Sequence, residues 1–327
     1  SAAGYTVTST GTSAVTGSDD ADALTNTSGA TTYVGGDGID TWVITDGAVT
    51  ISDLGATGDV DIVDLNDGTV AATTTGAWTA SSSTDNAGAV GEFTIAVASA
   101  GAVDLTSAGV SAAGYTVTST GTSAVTGSAG ADALTNTSGA TTFTGGAGKD
   151  TITFAGAGTV EQVTYSAITD GGLSTGVDGS ADSVVTFVST EDKINLDGAI
   201  ETAYDDQGSA NDAIAWEQVD AATDGSAESI DANDGTDEAI MLDGSELAVA
   251  DFDDISKVAD ELEEEVTLTA ATGEDLLVVI EDAATNDFGV WLYVETGGTA
   301  NQFDVADLTL LGIFTADAVA AGDFAIV

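Results

Sequence analysis

Residues 35–43 read GGDGIDTWV, and residues 145–153 read GGAGKDTIT. Both nonapeptides place glycine at positions one, two and four, aspartate at position six and an apolar residue at position eight. Glycine allows a turn to adopt backbone conformations that other residues rarely enter. The pattern predicts a six-residue turn that ends at a carboxylate, followed by a three-residue strand whose central side chain points inward.

The nine-residue period extends through two copies of a longer module. Residues 1–42 recur at 111–152, an offset of 110 residues, and the first 18 residues of the two copies are identical. Self-similarity at a fixed period is typical of repeat architectures. Four consecutive nonapeptides in each copy keep an apolar eighth residue: Val15, Leu24, Tyr33 and Trp42, then Val125, Leu134, Phe143 and Ile152. Two nonapeptides per coil predict a flattened parallel β-roll whose inward side chains stack.

The composition of the chain argues against several classes of chemistry. Its 327 residues include no Cys, His, Pro or Arg, and three Lys stand against 55 carboxylates, which gives a formal charge of −52. Without Cys and His there is no thiol or imidazole for nucleophilic catalysis or metal binding. The negative electrostatic potential of such a chain repels nucleic acid and anionic lipid, and it attracts cations. We therefore expect a non-enzymatic protein that binds no nucleic acid. We also expect no transmembrane segment, because no run of about 20 apolar residues occurs.

Stacking of the turns predicts where cations bind. In a roll with two nonapeptides per coil, alternate turns lie on the same edge, about 5 Å apart. Asp22 and Asp40 are expected to converge with glycine carbonyls on one gap between coils, and Asp132 and Asp150 on the equivalent gap of the second module. Carboxylates and carbonyls on flexible turns are the oxygen ligands that calcium prefers. We predict calcium on one edge of each module, since the opposite edge carries only Ser and Thr; an isolated Gly-Asp turn would instead be ordinary turn chemistry.

Other oxygen ligands are expected on the same turns. Gly35 and Gly145 open the two full nonapeptides and are candidates to supply carbonyls. Asp19 and Asp37 are candidates in the first module only, because the second module has Ala at both places.

The two full nonapeptides resemble the repeat G-G-x-G-x-D-x-U-x, in which U is an apolar residue. This repeat is typical of RTX (repeats-in-toxin) proteins, where it forms a parallel β-roll and binds calcium. Residues 17–25 and 127–135 are degenerate versions that keep the first Gly, the Asp and the Leu. The match covers about 36 residues in each module, roughly a fifth of the chain. The remaining turns depart from the family pattern, with hydroxyl residues where Asp is expected: Ser13, Thr31, Ser123 and Thr141.

The segment 182–198, DSVVTFVSTEDKINLDG, resembles the one that follows the rolls in many RTX proteins exported by type I secretion systems. The resemblance makes four acids candidate calcium ligands: Asp182, Glu191, Asp192 and Asp197. A strand that ends in a solvated acidic turn is the alternative interpretation. A second acidic loop, DANDGTDE (231–238), is similar to a calcium loop but places Gly235 one position early for an EF-hand.

Three further features are predicted in the C-terminal part. Residues 253–265 have a helical pattern, and strands at 276–282 and 288–295 form a hairpin. The end of the chain, Asp323 followed by four apolar residues, is similar to the uncleaved type I secretion signal of RTX proteins.

The sequence as a whole predicts an all-β chain made of two short parallel β-rolls linked by β-rich segments. The first RTX roll is expected at 1–43, a solenoid or sandwich at 44–110, the second roll at 111–153, and a β-rich domain with one helix and the secretion signal at 154–327. The resemblance implies an extracellular, cell-surface protein, most like bacterial S-layer proteins, that folds with calcium and self-associates through calcium bridges. Two alternatives are a calcium-dependent adhesin or matrix filament subunit, and the non-catalytic C-terminal part of a larger RTX exoenzyme.

Overall fold

The computed structural model describes residues 4–55, 59–89, 91–97, 100–109, 113–167, 169–171, 181–197, 200, 214, 216–220, 228–231, 239–245, 247–270, 275–297 and 302–326. The chain is all-β with a helix, and it contains a parallel β-solenoid of about 9 turns. It divides into two compact units. The first comprises 1–155 with 159–161, and the second 156–158 with 162–327.

Short strands build the first unit, each typically four or five residues long. The first eight are β1 (Thr6–Ser9), β2 (Ser13–Thr16), β3 (Ala23–Asn26), β4 (Ala30–Val34), β5 (Thr41–Ile44), β6 (Ala48–Leu54), β7 (Ile62–Leu65) and β8 (Thr69–Thr74). They are followed by β9 (Trp78–Thr79), β10 (Asp85–Asn86), β11 (Phe93–Val97), β12 (Ala102–Asp104), β13 (Thr116–Ser119), β14 (Ser123–Thr126), β15 (Ala133–Asn136), β16 (Thr141–Thr144) and β17 (Thr151–Thr153).

These strands form three parallel sheets. Sheet A contains β1, β3, β5, β7 and β10; sheet B runs through β2, β4, β6, β8, β11, β13, β15 and β17; sheet C contains β9, β12, β14 and β16. Within the nonapeptide modules, partner residues stand about 18 positions apart, as in the pairs Leu24–Trp42 and Val125–Phe143. Two nonapeptides therefore make one coil.

The core of the first unit is a stack of inward side chains, one column per sheet. Leu24, Tyr33 and Trp42 are each 1% exposed. Phe143 continues the column of sheet C and stacks on Phe154, with ring centroids 6.0 Å apart. Each residue alone buries little apolar surface, so the coils depend on their neighbours for stability.

The prediction of two short separate rolls needs correction. Through residues 44–110 the strands continue to pair in parallel with the coils on either side, so this segment is not a sandwich. The coils there are longer: Trp42 pairs with Val63 and Ile51 with Ala72, an offset of 21 residues. This longer spacing hides the repeat in the sequence.

A change of phase occurs between the two module copies. Strands β9 and β10 both fall between the consecutive sheet B strands β8 and β11, one in sheet C and the other in sheet A. The next strands are consequently displaced by half a coil. Residues 6–9 lie in sheet A, whereas the identical residues 116–119 lie in sheet B.

The second unit contains longer strands and a helix. In order they are β18 (Gln162–Tyr165), β19 (Asp182–Phe187), β20 (Lys193–Leu196), β21 (Trp216–Asp220), β22 (Glu228–Asp231), β23 (Ala239–Ser245), helix α1 (Ile255–Glu265), β24 (Val266–Thr269), β25 (Asp275–Asp282), β26 (Phe288–Val294), β27 (Leu308–Ala316) and β28 (Phe324–Ile326). Two 3₁₀ helices lie at Val249–Asp251 and Ala321–Asp323. Its sheets are β19-β27-β26-β25-β23-β21, β18-β20-β28 and β22-β24.

The helix and the hairpin predicted for this unit are present. Strands β25 and β26 pair antiparallel. Helix α1 begins two residues after the predicted start and buries Ile255, Val258 and Leu262. Trp291 of β26 meets Phe252 edge to face, at 5.5 Å between centroids. None of the helices in the described part of the chain has the length and apolar character needed to cross a bilayer.

Candidate functional site

The motif aspartates of the first module form a ladder along one edge of the solenoid. Asp22 is 3% exposed and Asp40 is 1% exposed. The backbone N–H of Asp22 donates to Asp40 Oδ1 at 2.8 Å, and the N–H of Asp40 donates to Asp61 Oδ1 at 2.9 Å. Each carboxylate therefore joins its own turn to the turn of the preceding coil.

Asp61 extends this ladder although it falls outside the nonapeptides. Its Oδ2 accepts from the N–H of Gly55 at 2.8 Å, and its carbonyl accepts from Trp78 Nε1 at 3.1 Å. The sequence signal was present, because Asp61 ends a Gly-rich acidic turn just before an apolar strand. It was missed because that coil is longer than two nonapeptides.

Burial makes the ionised form of these carboxyls costly. It raises the pKa of Asp40 to about 7, with repulsion from Asp61 and Asp22 adding to the shift and the Asp22 N–H opposing it. It likewise raises the pKa of Asp61 to about 6. Asp40 Oδ2 is buried without a hydrogen-bond partner. The sequence before Lys149 contains no Lys or Arg, so no side chain of this module can neutralise the ladder.

The second module repeats the arrangement. Asp132 is 2% exposed, and its carboxylate accepts from the N–H groups of Tyr115 and Ser128, both at 2.6 Å. The N–H of Asp132 donates to Asp150 Oδ1 at 2.7 Å. Burial raises the pKa of Asp132 to about 6, against these backbone hydrogen bonds. The same sequence thus builds the same carboxylate pair twice.

Glycine carbonyls approach these carboxylates where calcium was predicted. A Cβ placed on Gly17 would lie 2.2 Å from both Asp22 Oδ2 and the carbonyl oxygen of Gly35. At Gly127 the corresponding distances are 2.7 Å to Asp132 Oδ2 and 2.0 Å to the carbonyl oxygen of Gly145. In each module a carboxylate oxygen and a carbonyl oxygen of the next coil therefore both lie close beside a glycine, at a position where a Cβ would not fit. Hard oxygens of these two kinds suit calcium.

The turn of residues 35–40 is also held by acids of the following coil. Asp53 accepts from the N–H groups of Gly35 and Gly36, at 3.0 and 2.9 Å, and Asp59 accepts from Gly38 at 2.8 Å. Neither acid was predicted, because they lie in the irregular coil. The predicted ligands Asp19 and Asp37 are exposed on the outside of their turns. Within the described residues, no group of three or more acids is arranged to hold a metal ion.

Hydroxyl groups occupy the other edge of each module. Ser9 Oγ lies 2.7 Å from Ser13 Oγ and 2.9 Å from Thr31 Oγ1. In the second copy Ser119 Oγ lies 3.2 Å from Thr141 Oγ1. Neutral hydroxyl groups stand here in place of the carboxylates. They hydrogen-bond to one another, so these turns carry no negative charge that a cation would have to neutralise.

The two aspartate edges lie on opposite sides of sheet B. All strands of sheet B run in the same direction. The turns that end at Asp22 and Asp40 follow strands of sheet B, whereas those that end at Asp132 and Asp150 precede them. The half-coil change of phase therefore moves the carboxylates from one side of the solenoid to the other.

The acids predicted in the second unit stand in separate hydrogen-bonding environments. Asp182 and Asp192 are fully buried, and Asp192 Oδ2 accepts from the N–H of Val188 at 2.8 Å. Glu191 accepts from the N–H of Gly158 at 2.7 Å, and Asp197 is half-buried. Residues 232–238 of the second acidic loop lie outside the described residues.

Asp323 is a buried acid that was predicted only as part of the terminal segment. It is 1% exposed, accepts from Ser189 Oγ at 2.7 Å and the Thr190 N–H at 2.9 Å, and lies 3.8 Å from Lys193 Nζ. These contacts fix strand β28 beside β20. Compared with known proteins, the chain matches no family model and no curated protein.

Proposed function

We propose that this chain is an extracellular, calcium-binding structural protein of the RTX type that assembles into a surface layer. The observation that carries the proposal is the pairing of a buried Asp carboxylate with a glycine carbonyl over Gly17 and again over Gly127. Such a pair offers oxygen ligands to a cation, and calcium is the ion whose flexible coordination suits glycine-rich turns.

The residues around Gly17 and Gly127 indicate how calcium would bind and what it would change. Asp22, Asp40, Asp132 and Asp150 would hold it, with carbonyls of Gly35 and Gly145. Bound calcium would supply the positive charge that the acidic edge lacks, and it would favour the ionised carboxylates. Because the turns converge only in the coiled state, binding energy becomes folding energy. A chain of charge −52 would then stay unfolded where calcium is scarce and fold where it is plentiful.

The opposed aspartate edges support assembly into a layer. A solenoid with these acids on one side only would have its charge reduced by calcium on that side alone. Here the first module directs its carboxylates to one side of sheet B and the second module to the other. Calcium bound within these buried edges would reduce, on both sides of sheet B, the charge with which acidic copies repel one another. We propose no catalytic role, because the chain contains no Cys or His and the visible acids are engaged in turns.

Export through a type I secretion system is compatible with a chain that folds only after it meets calcium outside the cell. The proposed C-terminal signal includes β28. This strand pairs with β20, which lies in the segment 182–198 that resembles RTX proteins. The signal would be accessible in the unfolded chain and become part of a sheet after folding outside the cell.

Electron microscopy of the purified chain tests the proposal. With calcium we expect a two-dimensional lattice, and with chelator no ordered array. The variant Asp22→Asn/Asp40→Asn should lose the lattice, whereas Asp46→Asn/Asp67→Asn, at exposed turns of the same unit, should keep it. Filaments would support the adhesin or matrix alternative instead. Monomers with calcium at high protein concentration would overturn assembly altogether.

A further inference from the structure

Two buried carboxylates of the second unit lie together where strands β26 and β27 leave their sheet. Glu295 is 1% exposed and Asp307 is 2% exposed. The N–H of Thr296 donates to Asp307 Oδ1 at 3.0 Å, and the Thr296 hydroxyl donates to the same oxygen. The N–H of Val294 donates to the Asp307 carbonyl at 2.8 Å. Asp307 is therefore held by both chain neighbours of Glu295.

The hydroxyl of Tyr293 belongs to the same group. It donates to Glu295 Oε2 at 3.0 Å and lies 3.4 Å from the Gln302 carbonyl oxygen. Burial raises the pKa of Tyr293. The hydrogen bond to Glu295 and the negative charges of Glu295, Asp307 and Asp304 raise it further. The two buried carboxylates consequently act on one buried hydroxyl.

One carboxylate oxygen of this group lacks a donor. Asp307 Oδ2 is buried and accepts no hydrogen bond from the part of the chain that the structure describes. Asp282, in the turn before β26, is a contrast. Its two oxygens accept from the N–H groups of Val249 and Ala284, at 3.0 and 2.8 Å, and these hydrogen bonds lower its pKa. A buried carboxylate oxygen without a donor is favourable only when a proton or a cation neutralises it.

The lysines of the second unit are engaged with other acids. Lys193 pairs with Asp323, and Lys257 pairs with Asp251. These two are the only lysines of the unit, and the chain contains no Arg or His. Two buried carboxylates on one hydroxyl repel each other when both are ionised. The group therefore favours a cation from solution.

A cleft of about 210 Å³ adjoins the group. Its walls include Gln302, Phe303 and Glu263, which lies near the end of helix α1. The Phe303 ring meets Tyr293 edge to face, with centroids 5.1 Å apart. The cleft thus borders the residues that surround the Tyr293 hydroxyl, and the carboxylate in its wall would attract cations.

We propose that Glu295 and Asp307 bind a calcium ion. The Gln302 carbonyl and the Tyr293 hydroxyl are neutral oxygens of the same group. With two acids, the site would complete its coordination with neutral oxygens and water, which suits the six to eight oxygen ligands of calcium. A bound ion would tie the end of β26 to the start of β27. The inference does not rest on the proposed function, because the site lies in the second unit and uses no residue of the nonapeptides.

Glu295→Gln is the variant that tests the site. Its amide has the shape of the carboxylate and can still accept from the Gly297 N–H, which donates to Glu295 Oε1 at 2.8 Å. The fold should therefore persist while one charged ligand is lost. Asp287→Asn is the matched control, because Asp287 lies at the other end of β26 and accepts from the Ala316 N–H at 3.1 Å.

Equilibrium dialysis against calcium compares these variants with the wild type in the full chain, with circular dichroism to show that each is folded. Glu295→Gln should bind one calcium fewer than the wild type, and Asp287→Asn the same number. Equal calcium binding by the wild type and Glu295→Gln would overturn the proposal.

Terbium luminescence adds a readout that a purely structural role of Glu295 would not move. Terbium takes the same oxygen ligands as calcium, and it emits when an aromatic ring beside it is excited. Emission on tyrosine excitation should fall in Tyr293→Phe and in Glu295→Gln, and added calcium should displace it. Tyr5→Phe, at an exposed tyrosine of the first unit, should leave it unchanged. If Glu295→Gln does not fold, Tyr293→Phe still decides the question, since undiminished emission in that variant would place no ion beside Tyr293.

Discussion

The two carboxylate oxygens of Asp40 have different surroundings. Oδ1 accepts from the Asp22 N–H, and Oδ2 is buried without a hydrogen-bond partner. A carboxylate in this position is favourable only when a proton or a cation neutralises it. The residue therefore links the stability of the solenoid to pH and, under the proposed function, to calcium.

This linkage predicts that the calcium-free protein loses stability as pH rises. The folded-state pKa is about 7 for Asp40 and about 6 for Asp61 and Asp132, above the unfolded value of about 3.9. The folded state therefore holds protons that the unfolded state has released. The stabilising contribution is complete below about pH 4 and is lost as pH rises to about 7.

Urea denaturation in chelator, at several pH values from about 5 upward over the range in which the calcium-free chain is still folded, measures this effect. We expect a lower midpoint at higher pH, and a smaller difference in Asp40→Asn, whose side chain does not titrate. A midpoint that rises with pH would contradict the assignment. With calcium present the trend should reverse, since calcium competes with protons for the same carboxylates.

Backbone geometry at Gly36 gives a second prediction. Its φ is 106°, and an added Cβ would lie 1.9 Å from the carbonyl oxygen of Ser18 in the preceding coil. Gly36→Ala should lower the free energy of unfolding by about 1–3 kcal/mol or more, through strain and separation of the coils. Gly11→Ala, where nothing lies within 4 Å, should change it by less than about 0.5 kcal/mol. Thermal denaturation of the two variants gives the comparison.

At the scale of single elements, the nine-residue period predicted the strands and their inward residues well. Leu24, Trp42 and Phe143 are buried as the eighth position requires. Val15 is an exception and is half-buried, because its coil has no neighbour on one side in the described part of the chain. The pairs Asp22–Asp40 and Asp132–Asp150 followed from the same nine-residue period. Asp53, Asp59 and Asp61 lie in longer coils, where the sequence does not show that period.

Strand β28 provides a prediction at this scale. Asp323→Ala would leave the Ser189 hydroxyl and the Thr190 N–H without their acceptor. We expect a loss of about 1–3 kcal/mol and faster hydrogen exchange in β20 and β28. Lys193→Gln removes the half-exposed ion pair and the exposed hydrogen bond from Nζ to the Gly322 carbonyl, and should cost under about 1 kcal/mol. Similar exchange in Asp323→Ala and the wild type would show that Asp323 does not hold the strand.

For the molecule as a whole, the sequence predicted the β-roll class of fold, but it did not predict that the solenoid continues without a break between the two modules. The irregular coils of residues 44–110 join what looked like two separate rolls. The half-coil change of phase depends on two strands of two residues each, β9 and β10, which no periodic pattern indicates. As a result, the opposed positions of Asp40 and Asp150 emerge only from the pairing of the sheets.

The proposal that calcium folds the chain is tested by a calcium titration followed by far-UV circular dichroism. The chain begins in chelator at neutral pH, with magnesium as the matched control ion. We predict a cooperative gain of β signal with calcium, little change with magnesium, and a clear loss of calcium affinity in Asp22→Asn/Asp40→Asn. An identical β spectrum in chelator and in calcium would contradict the claim.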